Sequence, residues 1–367
     1  MRMCDKLILH LFREHQNLFT SRLNRCMFPT DTLLQMRCCQ MFLGAAIVGT
    51  LVAHLCVSPA ETRIKLNGSA VDFDLFRAHF HRTYEVSSEE SHRRHLYFQD
   101  AKNRHAYLNS AEPQSAKYGI NQFSDLSPKE FRDLYLRARA SRAPLFSGRK
   151  TEGLPVKFDW RDKGVVAPVQ NQQSCGSCWA FSVVGSVQSV HAIQSSKLEQ
   201  LSVQQVVDCS FKNYGCNGGS PLWALSWLKQ TRMELVPQSD YPYKAKTGIC
   251  HFFSQSHGGV AVKNFTAHDF GGQEEAMMYQ LVECGPLTAV VNAISWQDYL
   301  GGIIQHHCSS HRSNHAVLVV GYDTTGDIPH WIVQNSWGTT WGDGGYVYIK
   351  TGDNVCGIAD SVTAVFL

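Results

Sequence analysis

Three residues of this sequence, a cysteine, a histidine and an asparagine, have the types and spacing to do chemistry together. Cys178 closes the run Cys175-Gly176-Ser177-Cys178-Trp179, and Ala180, Val183, Val184, Val187 and Val190 come after it. Their three-to-four spacing predicts one buried face of a helix opening near Cys178. A helix N-terminus favours a thiolate through its partial positive charge, and the thiolate is the nucleophilic form of cysteine. A nucleophile of this kind still needs a cationic neighbour and a proton donor for the leaving group, which an imidazolium supplies. His315 opens the strand-like run His-Ala-Val-Leu-Val-Val-Gly-Tyr, and Asn335, in Asn335-Ser336-Trp337-Gly338, ends the next strand. If those strands pair through a turn at 324–328, the two side chains meet at one end of a sheet.

Other readings of the cysteines are weaker. Cys-x-x-Cys also marks redox pairs, but no βαβ pattern surrounds it here. A zinc site from Cys175, Cys178, Cys209 and Cys216 lacks two close pairs, so neither metal nor cofactor is expected.

The elements that must position these residues fall into segments. The chain has 367 residues, more than one core comfortably fills, and its +3 formal charge argues against nucleic-acid partners. Of its 13 cysteines, five lie between Cys4 and Cys56 and eight between Cys175 and Cys356. In an exported chain the eight read as a disulfide framework with one or two free thiols. Residues 1–60 form a leader whose apolar run, 41–57, resembles a signal-peptide core; it is short for a spanning helix, so no stable membrane insertion is expected after maturation. The long polar stretch 1–35 suggests that synthesis begins at Met36 or Met41, or that the leader is an isoform feature. Sequons at Asn67 and Asn264 fit a secretory route.

Residues 61–153 form a second unit, helical and charged over Phe73 to Leu136, with Ser127-Pro128-Lys129-Glu130 as a helix start. Residues 138–153 are basic and broken by proline and glycine, which predicts an exposed, protease-sensitive linker. Residues 154–367 form the third unit. Its first half holds helices, with a capping box at Ser202–Gln205 and a start at Ser220-Pro221; from Gly285 on, strands are expected at 286–292, 316–322, 331–334 and 346–350. The fold class is therefore α+β, a helical lobe followed by a sheet lobe with a cleft between them.

Five motifs in order, Phe158-Asp159-Trp160-Arg161, Cys175 to Trp179, Gly215-Cys216-Asn217-Gly218-Gly219, His315-Ala316-Val317 and Asn335-Ser336-Trp337-Gly338, resemble those of the papain-like cysteine proteases. The resemblance implies the two-lobe papain fold, with a helical lobe and an antiparallel sheet or barrel lobe, made as a zymogen with an N-terminal helical inhibitory propeptide. It implies Cys178 as nucleophile, His315 as acid/base, Asn335 as its orienter, Gln172 as oxyanion donor and Trp337 as cover. It implies the disulfides Cys175–Cys216, Cys209–Cys250 and Cys308–Cys356, leaving Cys284 as a buried, inert thiol. Gly119-Ile120-Asn121-Gln122-Phe123-Ser124-Asp125 matches the family's propeptide motif in full. The family's helical propeptide pattern matches at Glu90, Arg94, Phe98 and Asn109 but departs at Ala101 and His105.

By the same resemblance substrate lies along Gly218 and Gly219, and the pocket for the second residue before the scissile bond (P2) is lined by Ser220, Pro221, Val290, Ser313, Ala316 and Ser361. These residues are small, neutral or apolar, so hydrophobic side chains are expected there. Gln173 stands where family members carry glycine, either narrowing the primed side of the cleft or simply facing solvent. His306-His307 lacks the long cysteine-flanked insertion of an exopeptidase's occluding loop, which favours endopeptidase action. The implied activity is a lysosomal or extracellular cysteine endopeptidase that degrades protein, cut between about Lys150 and Leu154. Implied partners are polypeptide substrates, its own propeptide and cystatin-type inhibitors, with the enzyme a monomer; the alternative is a catalytically weak papain-like protein acting through binding.

Overall fold

The computed structural model describes residues 73–85, 87–111, 116–148, 153–251 and 259–367. The apolar run 41–57, the sequon at Asn67 and residues 150–152 lie outside them.

The segment expected to be an inhibitory propeptide, here called the prosegment, begins with α1 (Phe73–His79) and α2 (Glu89–Ala111). Phe76 and Phe98 are wholly buried, with ring centroids 4.9 Å apart, and pin the two helices together. Within and beyond α2, Arg94 reaches Glu90 (2.6 Å), Glu130 (2.9 Å) and the Asp125 carbonyl (3.0 Å), which ties this helix to the segment around 125–130. A short strand, β1 (Lys117–Tyr118), and α3 (Pro128–Tyr135) complete this part. The capping box of α3 is complete: Glu130 N–H donates to Ser127 Oγ (3.1 Å) and Ser127 N–H donates to Glu130 Oε2 (2.9 Å).

The helical lobe is built from α4 (Cys178–Ser195), α5 (Val203–Cys209) and α6 (Pro221–Thr231). Sequence spacing predicts one buried face for α4, yet Ser182, Ser186, Gln188 and Ser189 on the other faces are buried too. The helix lies between the lobes, so its second face meets the sheet. There Ser186 Oγ donates to the Pro286 carbonyl (2.8 Å), and the Ser182 carbonyl accepts from Thr288 Oγ1 (2.9 Å). Ser182 and Ser186 are thus hydrogen-bonded core residues, whereas the Ser189 hydroxyl is buried without a hydrogen-bond partner. The α5 cap is half a box: Ser202 Oγ accepts from Gln205 N (2.9 Å), but the Gln205 amide turns to the Glu234 and Val236 backbone instead.

The remaining strands are β2 (Lys157–Asp159), β3 (Glu234–Leu235), β4 (Val260–Ala261), β5 (Asn264–His268), β6 (Leu287–Val291), β7 (Tyr299–Gly301), β8 (Ile303–Ile304), β9 (His315–Asp323), β10 (His330–Gln334), β11 (Tyr346–Lys350) and β12 (Val362–Phe366). Eight form one sheet in the order β5-β12-β6-β9-β10-β11-β8, with β2 also on β9; all pairs are antiparallel except β11–β8. β1 pairs with β7, joining prosegment to sheet lobe. The helix α7 (Glu274–Cys284), which sequence reading passes over, packs on this sheet, and Trp331 Nε1 donates to its buried Glu274 (2.7 Å). The architecture is α+β.

Disulfides join Cys175 to Cys216 and Cys209 to Cys250 in the helical lobe, and Cys308 to Cys356 in the sheet lobe. Cys178 and Cys284 are free thiols, Cys178 fully buried and Cys284 only half-buried. Asn264 is exposed at the start of β5, its side chain accepting from Lys229 Nζ (2.8 Å).

Candidate active site

Cys178 is the first residue of α4, and its N-cap, Ser177, makes no side-chain capping bond. Ser177 Oγ instead meets the Tyr243 hydroxyl (2.7 Å), which donates to the Gln172 carbonyl (2.8 Å). In the first turn Ala180 and Phe181 N–H donate to the Ser177 carbonyl (2.8 and 3.1 Å), and a backbone hydrogen bond from Trp179 favours the Cys178 thiolate. On the facing lobe, the β9–β10 hairpin brings His315 and Asn335 together: His315 Nε2 lies 2.7 Å from Asn335 Oδ1. An amide oxygen only accepts, so Nε2 carries the hydrogen and Nδ1 is left to serve another group. Nδ1 is buried without a hydrogen-bond partner. The Trp337 ring covers the imidazole at 4.6 Å and is itself wholly buried. Gln172 is fixed by Ser336, whose Oγ donates to its Oε1 (2.6 Å), so that Nε2 faces the cleft and donates to the Cys175 carbonyl (3.0 Å).

The prosegment fills this cleft. Its Tyr135 carbonyl lies 3.4 Å from Gln172 Nε2, and Tyr135, Phe123 and Phe131 crowd edge-on against Trp337. Beyond α3 the chain passes over Cys178 and pairs with the far wall. Gly219 N–H donates to the Arg137 carbonyl (3.3 Å) and Arg139 N–H to the Gly219 carbonyl (2.8 Å), a parallel bridge centred on Ala138. Gly218 has φ +109°, and a Cβ there would sit 2.2 Å from the Arg137 oxygen, so only glycine admits the strand. Ala138 packs among Cys178, Val290 and Ala316, and its N–H donates to the Asn314 carbonyl (2.9 Å). Ser141 Oγ is 2.8 Å from Ser220 Oγ, and Ser361 Oγ donates to the Ser141 carbonyl (3.3 Å). Pro221 is buried at the start of α6, while Ser313 is half-buried and makes none of these contacts. Residues 138–146 are thus anchored at Ala138, Ser141 and Phe146, while Arg139, Ala140, Arg142, Pro144 and Leu145 are exposed, as composition predicts.

Burial under the prosegment changes the electrostatics. It pushes the Cys178 thiol up to about 11, against several backbone hydrogen bonds that lower it, and pushes the His315 imidazole down to about 4 despite its bond to Asn335. Both shifts favour the uncharged thiol and the uncharged imidazole in the covered pair.

The match to known families now has its geometric counterpart. Residues 154–366 match the family model "Papain family cysteine protease", and residues 73–131 match "Cathepsin propeptide inhibitor domain". The chain belongs to the papain family of cysteine proteases. It is a cysteine peptidase made as a zymogen. Cathepsin O of Homo sapiens is 54% identical over 299 residues, 79% of this chain and 92% of that protein. Cathepsin O of Mus musculus is 56% identical over 271 residues, covering 72% and 87%. The solved structure titled "Recombinant stem bromelain precursor" superposes with a TM-score of 0.73 at 32% identity, covering 80% of this chain and 97% of that one.

Within the family's prosegment pattern, the motif residues close on one another and on the peptidase unit. Asn109 Nδ2 donates to the Tyr118 carbonyl (2.8 Å), and Asn121 Nδ2 to the Gln297 carbonyl (2.8 Å). Gly119 leaves room for Leu300, whose Cδ1 would lie 2.6 Å from a Cβ there. Asp125 pairs with Arg82 (2.8 Å). The departures at Ala101 and His105 are absorbed: Ala101 is wholly buried, and His105 Nε2 lies 3.0 Å from Asp298 Oδ1, which Arg104 also grips at 2.5 and 2.9 Å. Gln173 is exposed with φ +52°, the left-handed region that favours glycine. His306 and His307 are both exposed. Sequence reading missed Tyr243, Ser336 and Asp298; only Ser336 had a signal, lying inside the Asn-Ser-Trp-Gly motif.

Proposed function

We propose that the chain is a lysosomal or secreted cysteine endopeptidase in which Cys178 and His315 form the reactive pair. The observation that carries this is the His315 Nε2–Asn335 Oδ1 contact at 2.7 Å, which leaves Nδ1 as the nitrogen able to exchange a proton with Cys178. Release of the prosegment rehydrates both groups, lowering the thiol and raising the imidazole until a thiolate–imidazolium pair forms at the α4 terminus. The Cys178 sulfur attacks the peptide carbonyl, and its electron pair moves to the oxygen. Gln172 Nε2 and the Cys178 N–H stabilise that oxyanion. His315 then gives its proton to the leaving amine, and next takes one from the water that frees the acyl group.

Substrate runs with its P2 residue between Ser220, Pro221, Val290, Ala316 and Ser361, and its leaving group beside Trp337. The prosegment runs the other way, from Tyr135 beside Trp337 to Ser141 beside Ser361, which accounts for its resisting cleavage. No acid lines the P2 pocket, so hydrophobic residues are preferred there. Cystatin-type inhibitors fit the same cleft, and the enzyme acts as a monomer. Exposed Asn264 suits a glycoprotein of the secretory route.

Labelling of the processed protein with an epoxysuccinyl thiol probe at acid pH tests the reading. We expect labelling of wild type and none of Cys178→Ala; an unlabelled wild type would support a binding role instead.

A further inference from the structure

The prosegment does not end its docking at the P2 pocket. Three residues past Ser141 it makes a second set of strand-like contacts. Asp269 N–H donates to the Pro144 carbonyl (2.9 Å) and Phe146 N–H donates to the Asp269 carbonyl (2.8 Å), a parallel bridge at Leu145. Gln273 Nε2 donates to the Phe146 carbonyl (3.1 Å). Leu145 points outward, 69% exposed, while the Phe146 ring stacks on Phe270 (4.8 Å) and meets His268 edge-on (5.4 Å). One aromatic side chain therefore fills a shaped recess, and a free backbone edge holds the chain beside it.

This recess is joined to the P2 pocket through the sheet. Val362, which comes directly after Ser361, is the register partner of His268 in the β12–β5 pair, so the two sites share neighbouring positions on adjacent strands. When the prosegment leaves, Phe270 loses its cover and the Asp269 peptide keeps an unused donor and acceptor.

We propose that His268, Phe270 and Gln273, with the Asp269 backbone, form a second substrate-binding site that takes an aromatic residue of an extended polypeptide. The proposal rests on the peptidase reading above. The occupant is a polypeptide because the structure's own occupant is one, held by backbone bonds that any extended chain can make. The aromatic lies about five residues N-terminal to the residue at Ser220 and Ser361, a span that extended chain covers in roughly 17 Å. Binding of this kind, equally strong in the ground and transition states, lowers KM and leaves kcat alone.

The test uses enzyme made as the full chain and processed in solution. Three quenched-fluorescent peptides share one cleavable core: the core alone, and the core extended upstream with phenylalanine or with alanine at that position. We expect kcat/KM for the phenylalanine peptide to exceed that for the alanine peptide roughly tenfold, through KM. In Phe270→Leu, which keeps an apolar side chain in the fold, the ratio should fall towards two or three while turnover of the core alone is unchanged. Equal kcat/KM for the two extended peptides in wild type overturns the proposal. Failure to cleave even the core would instead refute the peptidase reading. In that event, binding of the labelled peptides to Cys178→Ala protein, cut with trypsin at Lys150 and freed of prosegment, decides the site; equal Kd values overturn it.

Discussion

At the residue scale, the covered Cys178 is a poor nucleophile because burial raises its thiol to about 11. A thiol raised in this way holds little thiolate at pH 7. Iodoacetamide should therefore modify Cys178 at least a hundredfold more slowly in the intact zymogen than after processing, read by peptide mass mapping. Equal rates would mean that the prosegment blocks substrate without altering the thiol. With Gln172 as the proposed oxyanion donor, Gln172→Ala should lower kcat by about 10² to 10³-fold. Ser336→Ala removes the hydrogen bond that orients that donor and should lower kcat roughly tenfold with little change in KM.

At the element scale, α2 is clamped to the peptidase unit through Asp298. Burial pushes this carboxyl up, but hydrogen bonds from His105 and Arg104 outweigh it and hold it below the usual carboxylate range. A carboxyl depressed in the closed form stabilises closure above its ordinary pKa near 3.8 and loses that contribution as pH falls below it. Asp298→Asn should speed processing several-fold at pH 5, with the difference shrinking near pH 3, as followed by gel. The tail of the prosegment has the opposite chemistry. Burial lowers the His268 imidazole, so the closed tail binds fewer protons than the open one and loses stability as pH falls through the ordinary imidazole range near 6.5. Trypsin cleavage of the 144–150 segment should accelerate between pH 7 and 5.5, and His268→Gln should flatten that dependence.

At the scale of the whole molecule, one chain supplies a two-lobed enzyme and a prosegment that lies in its cleft, and the burial of Cys178 and His315 is a consequence of that packing. N-terminal sequencing of processed protein should find a start between residues 150 and 154; a start well beyond Trp160 would contradict the assigned boundary. A peptide library should show aliphatic or aromatic residues at P2, and a profile dominated by arginine would count against the pocket of Ser220, Val290 and Ser361.

How much of the molecule is legible in its sequence depends on how local the cause is. Cys178 at a helix start, the α3 cap at Ser127 and the β9–β10 hairpin that joins His315 to Asn335 arise from spacing and turn chemistry, which act over a few residues. The buried serines of α4, the turn of Gln205 away from its cap and the seating of residues 138–146 do not. Each was decided by a partner far along the chain, Pro286, Val236 and Asp269 among them. The sequence by itself determined which residues are chemically able to act. Tertiary packing alone decided that they are buried beneath the prosegment, with the thiol raised and the imidazole lowered, because desolvation depends on what lies on top of a group, and no local pattern records that.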